Sequence, residues 1–589
     1  MRRISIRLAL LAALTAAAVA VTPGALAVAG DRLVNVGSPP SPFSQNKQNE
    51  PALAVDANHP NVLVAGANDN IDMEACNAGD DTTCPFTAGV GGSGVYFSFD
   101  SGKTWTQPTY TGLSARGCLG VVGPDPGCEP EVGPIGTLPW YYEDGLVSDG
   151  DPAVAFGPRP DVDGTFSWAN GSRLYYANLT SNIGTRRDET FKGIEAIYVS
   201  RTDDVEAAAA DDKSAWMTPV RVSKQSSATF ADKEQIWADN ASSSPFFGNA
   251  YVCWENFVGN GAGALAVARS LDGGDTWSQK QVTPAHAVPP TMWGQSGCTI
   301  RTDSNGVVYV FYEQFQSPFT FLPPRGTHML VKSLDGGRSW TRPMALYQIT
   351  DPCFALSFDG GVDRCVEDGI AGARNDLSAS PSVSIANGAP TGAGATNEIV
   401  NAWADGRDGL NDEHVMFAYS TGGGLPGTWA EPRAIESAGD RGYYAAPAIS
   451  PDGSTVYVVY NAFTTPFRTD TSSPRGLVGV VKRATVSADG TPAAFAEVHR
   501  ARWVIPEARA KTTSSSSSSV ITSTQSRPTP LGPACGTTSA TRRTVRPSTP
   551  TGCRFRPADR YPLLHRNSIA RRTSATATSS AGRRLRRTR

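Results

Sequence analysis

The stretch Ser270-Leu-Asp-Gly-Gly-Asp-Thr-Trp277, SLDGGDTW, recurs as SFDSGKTW at 98–105 and as SLDGGRSW at 333–340. A decayed copy, MFAYSTGGGLPGTW, lies at 416–429, and a weaker one runs from IYVSRTDD to SAWMTPVRV across 197–222. The shared pattern suits a tight hairpin turn. Its Asp can accept N–H bonds within the turn, its Gly supplies a positive φ, and its Trp packs back onto a sheet. One active site does not need three copies. Repetition therefore marks Asp100, Asp272 and Asp335, with Trp105, Trp277 and Trp340, as parts of a frame.

Each copy sits inside a longer unit. A short strand near a proline opens it: EPALAVD at 50–56, DPAVAFG at 151–157, EQIWADN at 234–240, GCTIRTD at 297–303, SPSVSIAN at 380–387 and APAISPD at 446–452. A second strand follows with period-two alternation, as in NAYVCWEN and GVVYVFYEQ. Two more strands flank the octapeptide. Six such units predict an all-β fold, a six-bladed β-propeller built of four-stranded antiparallel blades. The 59 Gly and 43 Pro supply the turns this needs. The propeller is expected over 46–502, with a long insertion at 106–149 on one face.

The octapeptides resemble the Asp-box, or BNR repeat, of the sialidase family and related propellers, and the resemblance covers most of 46–500. It implies that the boxes lie on the blade periphery and that a substrate pocket lies at the axis. A sialidase of that family clamps its substrate's carboxylate with three arginines, because a guanidinium fork matches a carboxylate. The first belongs to a Phe/Tyr-Arg-Ile-Pro motif ahead of the first box. Here that region reads SPFSQNKQNEPALAVD and holds no arginine. The family's Tyr–Glu nucleophile and acid/base Asp match no position either.

The axis is instead expected to be acidic. The residue before the first-strand proline, or its equivalent, is Glu50, Asp151 and Glu234 in three successive units, with Asp232 nearby. In the next three it is Gly297, Ser380 and Ala446. Clustered carboxyls raise one another's pKa and can do acid–base work or hold calcium; the plainer role is to cap turns. Glu50, Asp151 and Glu234 are the catalytic candidates. Asp232, Arg301, Arg407, Tyr141 and Tyr142 are the substrate-binding candidates, the tyrosines from PWYYEDG offering a glycan-stacking rim. Asp405, Asp408 and Asp412 in WADGRDGLNDE could wrap a cation, or form a solvated loop. No cofactor is required, and calcium is the one the pattern suggests.

Residues 1–27 read as a signal peptide: two arginines, an apolar run, and Ala25-Leu26-Ala27 before the cut. Residues 28–45 read as a linker. Ten cysteines in an exported chain point to disulfides, with Cys76/Cys84, Cys118/Cys128 and Cys353/Cys365 close in sequence and Cys253/Cys298 a longer pair. Residues 503–589 hold 17 basic against 2 acidic residues, leaving 35 basic and 53 acidic before them. An acidic body disfavours nucleic acid and anionic membranes. The Arg/Ser/Thr-rich tail reads either as disordered or as a frameshifted remnant of a last blade. Shifting its codons by one base permits VWNDVRD, an echo of AWADGRD at 402–408; a seventh blade follows in that case. The expected role is a secreted, monomeric propeller that binds glycans or cell-surface polymers. Glycoside hydrolysis and a purely structural or protein-interaction role are the alternatives.

Overall fold

A computed structural model describes residues 30–35, 48–74, 87, 89–118, 128–183, 195–224, 229–258, 263–285, 293–316, 322–359, 362–365, 378–468 and 476–501. The signal segment, Cys76/Cys84 and the tail with its frame-shift expectation lie outside them.

Six antiparallel sheets follow one another as the blades of a six-bladed propeller, each a simple meander. Blade 1 holds Gln48–Val55, Leu63–Asp69 and Ser93–Ser98, and Thr106 bridges Phe97 as its outer edge. Blade 2 runs Leu146–Pro160, Phe166–Asn182, Ala196–Thr202 and Trp216–Arg221. Blade 3 runs Thr229–Ala238, Ala250–Val258, Gly263–Ser270 and Ser278–Gln281. Blade 4 runs Trp293–Thr302, Val308–Gln316, Arg325–Ser333 and Met344–Thr350. Blade 5 runs Ser382–Ile385, Ile399–Asp405, His414–Ser420 and Arg433–Ala434. Blade 6 runs Arg441–Ile449, Thr455–Phe463, Leu477–Thr485 and Ala496–Arg500.

The second strands of the central blades are apolar on both faces because neighbouring blades cover both. Val64, Phe97, Phe156 and Tyr176 fill the space between blades 1 and 2. Ala155, Tyr175, Val252 and Trp254 do so between blades 2 and 3, and Tyr251, Ile300, Val310 and Val331 between blades 3 and 4. Burying one such Val, Phe or Tyr side chain contributes about 1.5–3 kcal/mol. In the weak repeat of blade 2, a short helix, Val205–Ala209, stands where the other blades make their turn. Among the described residues no helix is long and apolar enough to cross a membrane.

The octapeptides form the turns between third and fourth strands. In SLDGGDTW, Thr276 donates through N (2.9 Å) and Oγ1 (2.5 Å) to Asp272, and Ser270 Oγ donates to it at 2.7 Å. Gly273 and Gly274 take φ of 72° and 92°, which side-chain-bearing residues rarely adopt. Trp277 Nε1 donates to Gly274 O at 3.0 Å. Trp105 repeats that bond, whereas Trp340 packs against the core between blades 3 and 4.

These turns also join blades. In blades 2, 3 and 4 the basic residue just before the turn's serine or threonine reaches a turn carbonyl of the next blade. Arg201 bonds Gly273 O at 3.4 Å, Arg269 bonds Gly336 O at 2.9 Å, and Lys332 bonds Gly423 O at 2.9 Å. Asp335 accepts from Ser339 N, Ser339 Oγ, Arg338 N and Ser333 Oγ, and those donors hold its pKa low. Its exposure limits what these bonds contribute. We expect Asp335→Ala to cost about 1 kcal/mol by urea denaturation and to leave ligand binding unchanged. A changed ligand affinity would place the octapeptide in the site after all.

At the N-terminal end, residues 30–35 are tied down in part. His499 Nε2 lies 2.8 Å from Asp31 Oδ1, and Val34 packs on blade 1 beside Leu53 and Trp105. This short piece of the expected linker therefore touches the last blade and the first.

Candidate functional site

The end of the barrel away from the octapeptide turns carries a repeated irregularity. The register between first and second strands shifts between Asn49/Ala52, Gly150/Ala153, Asp232/Gln235, Ser296/Thr299 and Tyr443/Ala446. Each shift is a bulge that re-aims side chains. One residue in each has a positive φ: Glu50 (52°), Asp151 (52°), Lys233 (60°), Gly297 (63°) and Tyr444 (52°). Left-handed backbone costs a side-chain-bearing residue about 1–3 kcal/mol, and such strain clusters at functional sites.

This corrects the alignment read from sequence. Lys233, not Glu234, is the counterpart of Glu50 and Asp151, and Tyr444, not Ala446, is the counterpart in blade 6. Blade 3 has no proline at that point, so nothing in EQIWADN anchored the register. Glu234 still joins the acidic group from the next position.

Asp151 is the hub. Its carboxyl lies in hydrogen-bonding range of both Glu50 and Asp232. Lys233 Nζ stands 3.7 Å from Asp151 and 3.5 Å from Asp232. Asn68 Oδ1 accepts from Asp151 N at 2.5 Å, fixing the strained backbone. All these groups are buried, Asn68 included. Burial pushes the Asp151 pKa well above the usual carboxylate range; Glu50's charge adds to this and Lys233 opposes it. Burial, then Asp151, does the same to Glu234. Burial and neighbouring like charge thus favour the protonated forms of Asp151 and Glu234.

Four acidic residues of this end escaped the sequence reading: Asp149, Glu195, Glu255 and Glu313. Asp149 belongs to the innermost strand of blade 2, and Glu195 precedes that blade's third strand. Glu255 and Glu313 lie on second strands, opposite the bulges at Asp232 and Ser296. Their role is partly a clasp between blades. Ser380 Oγ donates to Glu313 at 3.1 Å across blades 4 and 5. Asn68 does the same across blades 1 and 2. Burial lifts the Glu313 pKa to about 8. The alternating pattern in GVVYVFYEQ placed Glu313 on a strand but could not say which blade it would reach.

The remaining candidates scatter. Tyr141 is buried between blades 1 and 2, donating to Asn178 Oδ1 at 2.6 Å, and so cannot form a stacking rim. Tyr142 is exposed beside it. The neighbouring Trp140 is held by Lys213, which lies over its ring and pairs with Glu143. Arg301 is buried with its guanidinium 4.6 Å from the Trp237 ring, and burial lowers its pKa to about 9. It sits one residue from the far end of its strand, opposite Tyr309, and so away from the bulges. Arg407 is near the bulge end but is gripped by Asp405 through Nε (2.9 Å) and Nη2 (2.8 Å). Asp408 faces His414 at 2.7 Å, and Asp412 is exposed. On blade 6 the bulge end is aromatic: Tyr443 packs edge-on to Phe463, and Tyr444 lies beside them. Arg441, paired with Glu413 at 2.9 Å, extends over Phe463.

The disulfides Cys118–Cys128, Cys253–Cys298 and Cys353–Cys365 are formed, consistent with an extracellular protein. Cys298 lies within the blade 4 bulge and Cys253 on the second strand of blade 3, so that bond ties two blades at the level of the carboxyls.

No family model matches the chain, and no curated protein matches it significantly. Solved structures do align with it. The Hadza microbial sialidase Hz136 is 15% identical over 70% of this chain and 63% of its own, with a TM-score of 0.38. The Trypanosoma rangeli sialidase bound to 2,3-difluorosialic acid is 10% identical over 73% and 55%, with a TM-score of 0.37. The intramolecular trans-sialidase from Ruminococcus gnavus is 12% identical over 82% and 99%, with a TM-score of 0.41. The chain thus spans less than two thirds of the first two.

Proposed function

We propose that the protein is an exported carbohydrate-binding propeller that takes a neutral glycan at the bulge end of its axis. The observation that carries this reading is the acidic group Glu50, Asp151 and Asp232 at the bulge end, with the Lys233 ammonium 3.7 Å from Asp151 and 3.5 Å from Asp232; the half-buried Tyr444 stands at the corresponding bulge of blade 6. Partly protonated carboxyls both donate and accept hydrogen bonds, which suits sugar hydroxyls. Aromatic rings suit the apolar faces of sugar rings. An acidic mouth repels a carboxylate-bearing sugar, and Arg301, Arg407 and Arg441 are each engaged by Trp237, Asp405 or Glu413. The signal-like N-terminus and the disulfides support export.

Hydrolysis is the second reading, favoured by Asp151, an acid held protonated by burial as a general acid must be. The spacing weighs against it. Carboxyls in a retaining glycosidase stand about 5–5.5 Å apart to admit the sugar, whereas Glu50 and Asp151 touch.

The test is calorimetry with paired oligosaccharides, sialylated and desialylated, together with a chromogenic-glycoside screen. We expect binding of the neutral members, weakened about tenfold or more by Asp151→Asn, which replaces the carboxyl group with an amide and loses its O–H donor. Preference for sialylated members would overturn the reading. Turnover abolished by Glu50→Gln would replace binding with hydrolysis.

A further inference from the structure

We propose that the ring opens along the seam between blade 6 and blade 1, and that residues 30–35 are the strap that holds this seam shut. The inference does not rest on the carbohydrate reading. Each blade is a run of consecutive strands, so blade 6 takes no strand from the start of the chain and blade 1 takes none from its end. The chain itself crosses the five other junctions, and Cys253–Cys298 adds a covalent bond between blades 3 and 4. The seam instead brings the two ends of the ring together: Asp31 and His499 lie 468 positions apart. The entropic cost of joining two segments grows with the length of chain between them. The seam therefore has the most freedom to regain by parting.

Its blades also share no apolar core. Among the described residues, the apolar clusters that join two blades join blades 1 and 2, 2 and 3, 3 and 4, 4 and 5, and 5 and 6, and none joins 6 and 1. The second strands show the same difference. All seven residues of Ile399–Asp405 in blade 5 are buried. Along Thr455–Phe463 in blade 6, burial alternates. Val456, Val458, Tyr460 and Ala462 pack against blade 5, whereas Tyr457, Val459 and Asn461, on the opposite face of the sheet, are only half-buried. Val481, paired with Val459 on the next strand, is half-buried too. The face of blade 1 away from blade 2 carries Leu53, Ala65, Ala67 and Tyr96. The further residues packed with them are Val34 and Trp105, neither of them from blade 6.

Residues 30–35 grip both sides of this seam. On blade 1, Val34 packs in that cluster, and Asn35 Nδ2 donates to Gln48 Oε1 on the first strand. Gln48 in turn donates to Asp69 at 2.7 Å. On blade 6, Asp31 Oδ1 lies 2.8 Å from His499 Nε2 of the outermost strand. The grip is thus apolar on one side and polar on the other. One valine and a partly exposed polar pair make a modest hold, and the parts of a fold with the fewest buried contacts open first. The bulge residues Glu50 and Tyr444 belong to the two blades that part, so opening the seam also changes the distance between them.

The experiment is hydrogen–deuterium exchange of the full chain near neutral pH, read by mass spectrometry. In the parent, Leu63–Asp69 and Thr455–Phe463, the second strands on either side of the seam, should exchange about tenfold or more faster than Ala250–Val258 and Val308–Gln316, the second strands of blades 3 and 4. The double variant Val34→Ser/His499→Ala removes both grips. It should speed exchange in blades 1 and 6 by a further tenfold or so, about the effect of losing one buried valine and one hydrogen bond, and leave blades 3 and 4 unchanged. Both positions are half-buried, so its far-ultraviolet dichroism should match the parent's. His499→Glu alone sets a carboxylate against Asp31 and should speed exchange in the same two blades; adding Asp31→Lys should restore the parent's rate. Exchange as slow at the seam as in blades 3 and 4 in the parent would overturn the proposal. So would an equal rise in all six blades of the double variant, since residues 30–35 would then support the whole fold and not one seam. Failure of Asp31→Lys to rescue His499→Glu would overturn the grip on blade 6.

Discussion

Replacing Lys233 with methionine is expected to destabilise the protein by about 3–5 kcal/mol near neutral pH, the usual cost of stranding buried charges by removing their partner. Lys233 is the ammonium paired with Asp151 and Asp232, both buried. The loss should depend on pH in a definite direction. Asp151 already has a raised folded-state pKa, and removing Lys233 raises it further. A carboxyl with a raised folded pKa binds more protons folded than unfolded, so stability falls as pH rises above the unfolded value of about 4. The deficit relative to the parent should therefore be largest near about pH 8 and shrink towards about pH 5. Urea melts of both proteins across that range provide the measurement. A deficit independent of pH would mean that Lys233 stabilises through packing alone.

Opening the Cys253–Cys298 bond should have an effect of similar size. It closes a loop with a sequence separation of 45 residues, for which the chain-entropy account gives about 4 kcal/mol. The two sulfurs join the second strand of blade 3 to the bulge of blade 4, next to Gly297. The double substitution Cys253→Ala/Cys298→Ala should lower the urea midpoint accordingly. Cys118→Ala/Cys128→Ala, which opens a separation of only 10 residues, should cost less by the same account. Equal losses from the two pairs would argue that local packing, not loop closure, sets the value. Weakened glycan binding in the first variant and not the second would show that the bond also holds the axial register.

Much of the frame was legible because its chemistry is local. SLDGGDTW contains its own hydrogen-bond donors, its own acceptor and its own left-handed glycines, so the turn could be read from eight residues. Strand alternation is local in the same sense. Cys118–Cys128 and Cys353–Cys365 were legible from short spacing, whereas Cys253–Cys298 was readable only as one longer pair the count allowed. The bonds from Arg269 and Lys332 to the next blade's turn were not, since a basic residue before a serine has no distinguishing mark until the blades are stacked.

The axis was legible only as a tendency to be acidic. Glu50 and Asp151 could be found from the proline that follows each, whereas Glu234 was matched one residue out of register because blade 3 lacks that proline. Tyr141 and Arg301 looked available and are buried between blades. Glu195 carried no signal at all: it is one acid before an ordinary strand.

By itself, then, the sequence determined the all-β repeat, its turns, its short disulfides and the acidic character of its body, all properties of residues within a few positions of one another or of composition. Tertiary structure alone decided which residue stands at each bulge and that Lys233 stands between Asp151 and Asp232. The physical reason is that a bulge shifts side chains by one position, and that burial and charge act through space between strands far apart in the chain.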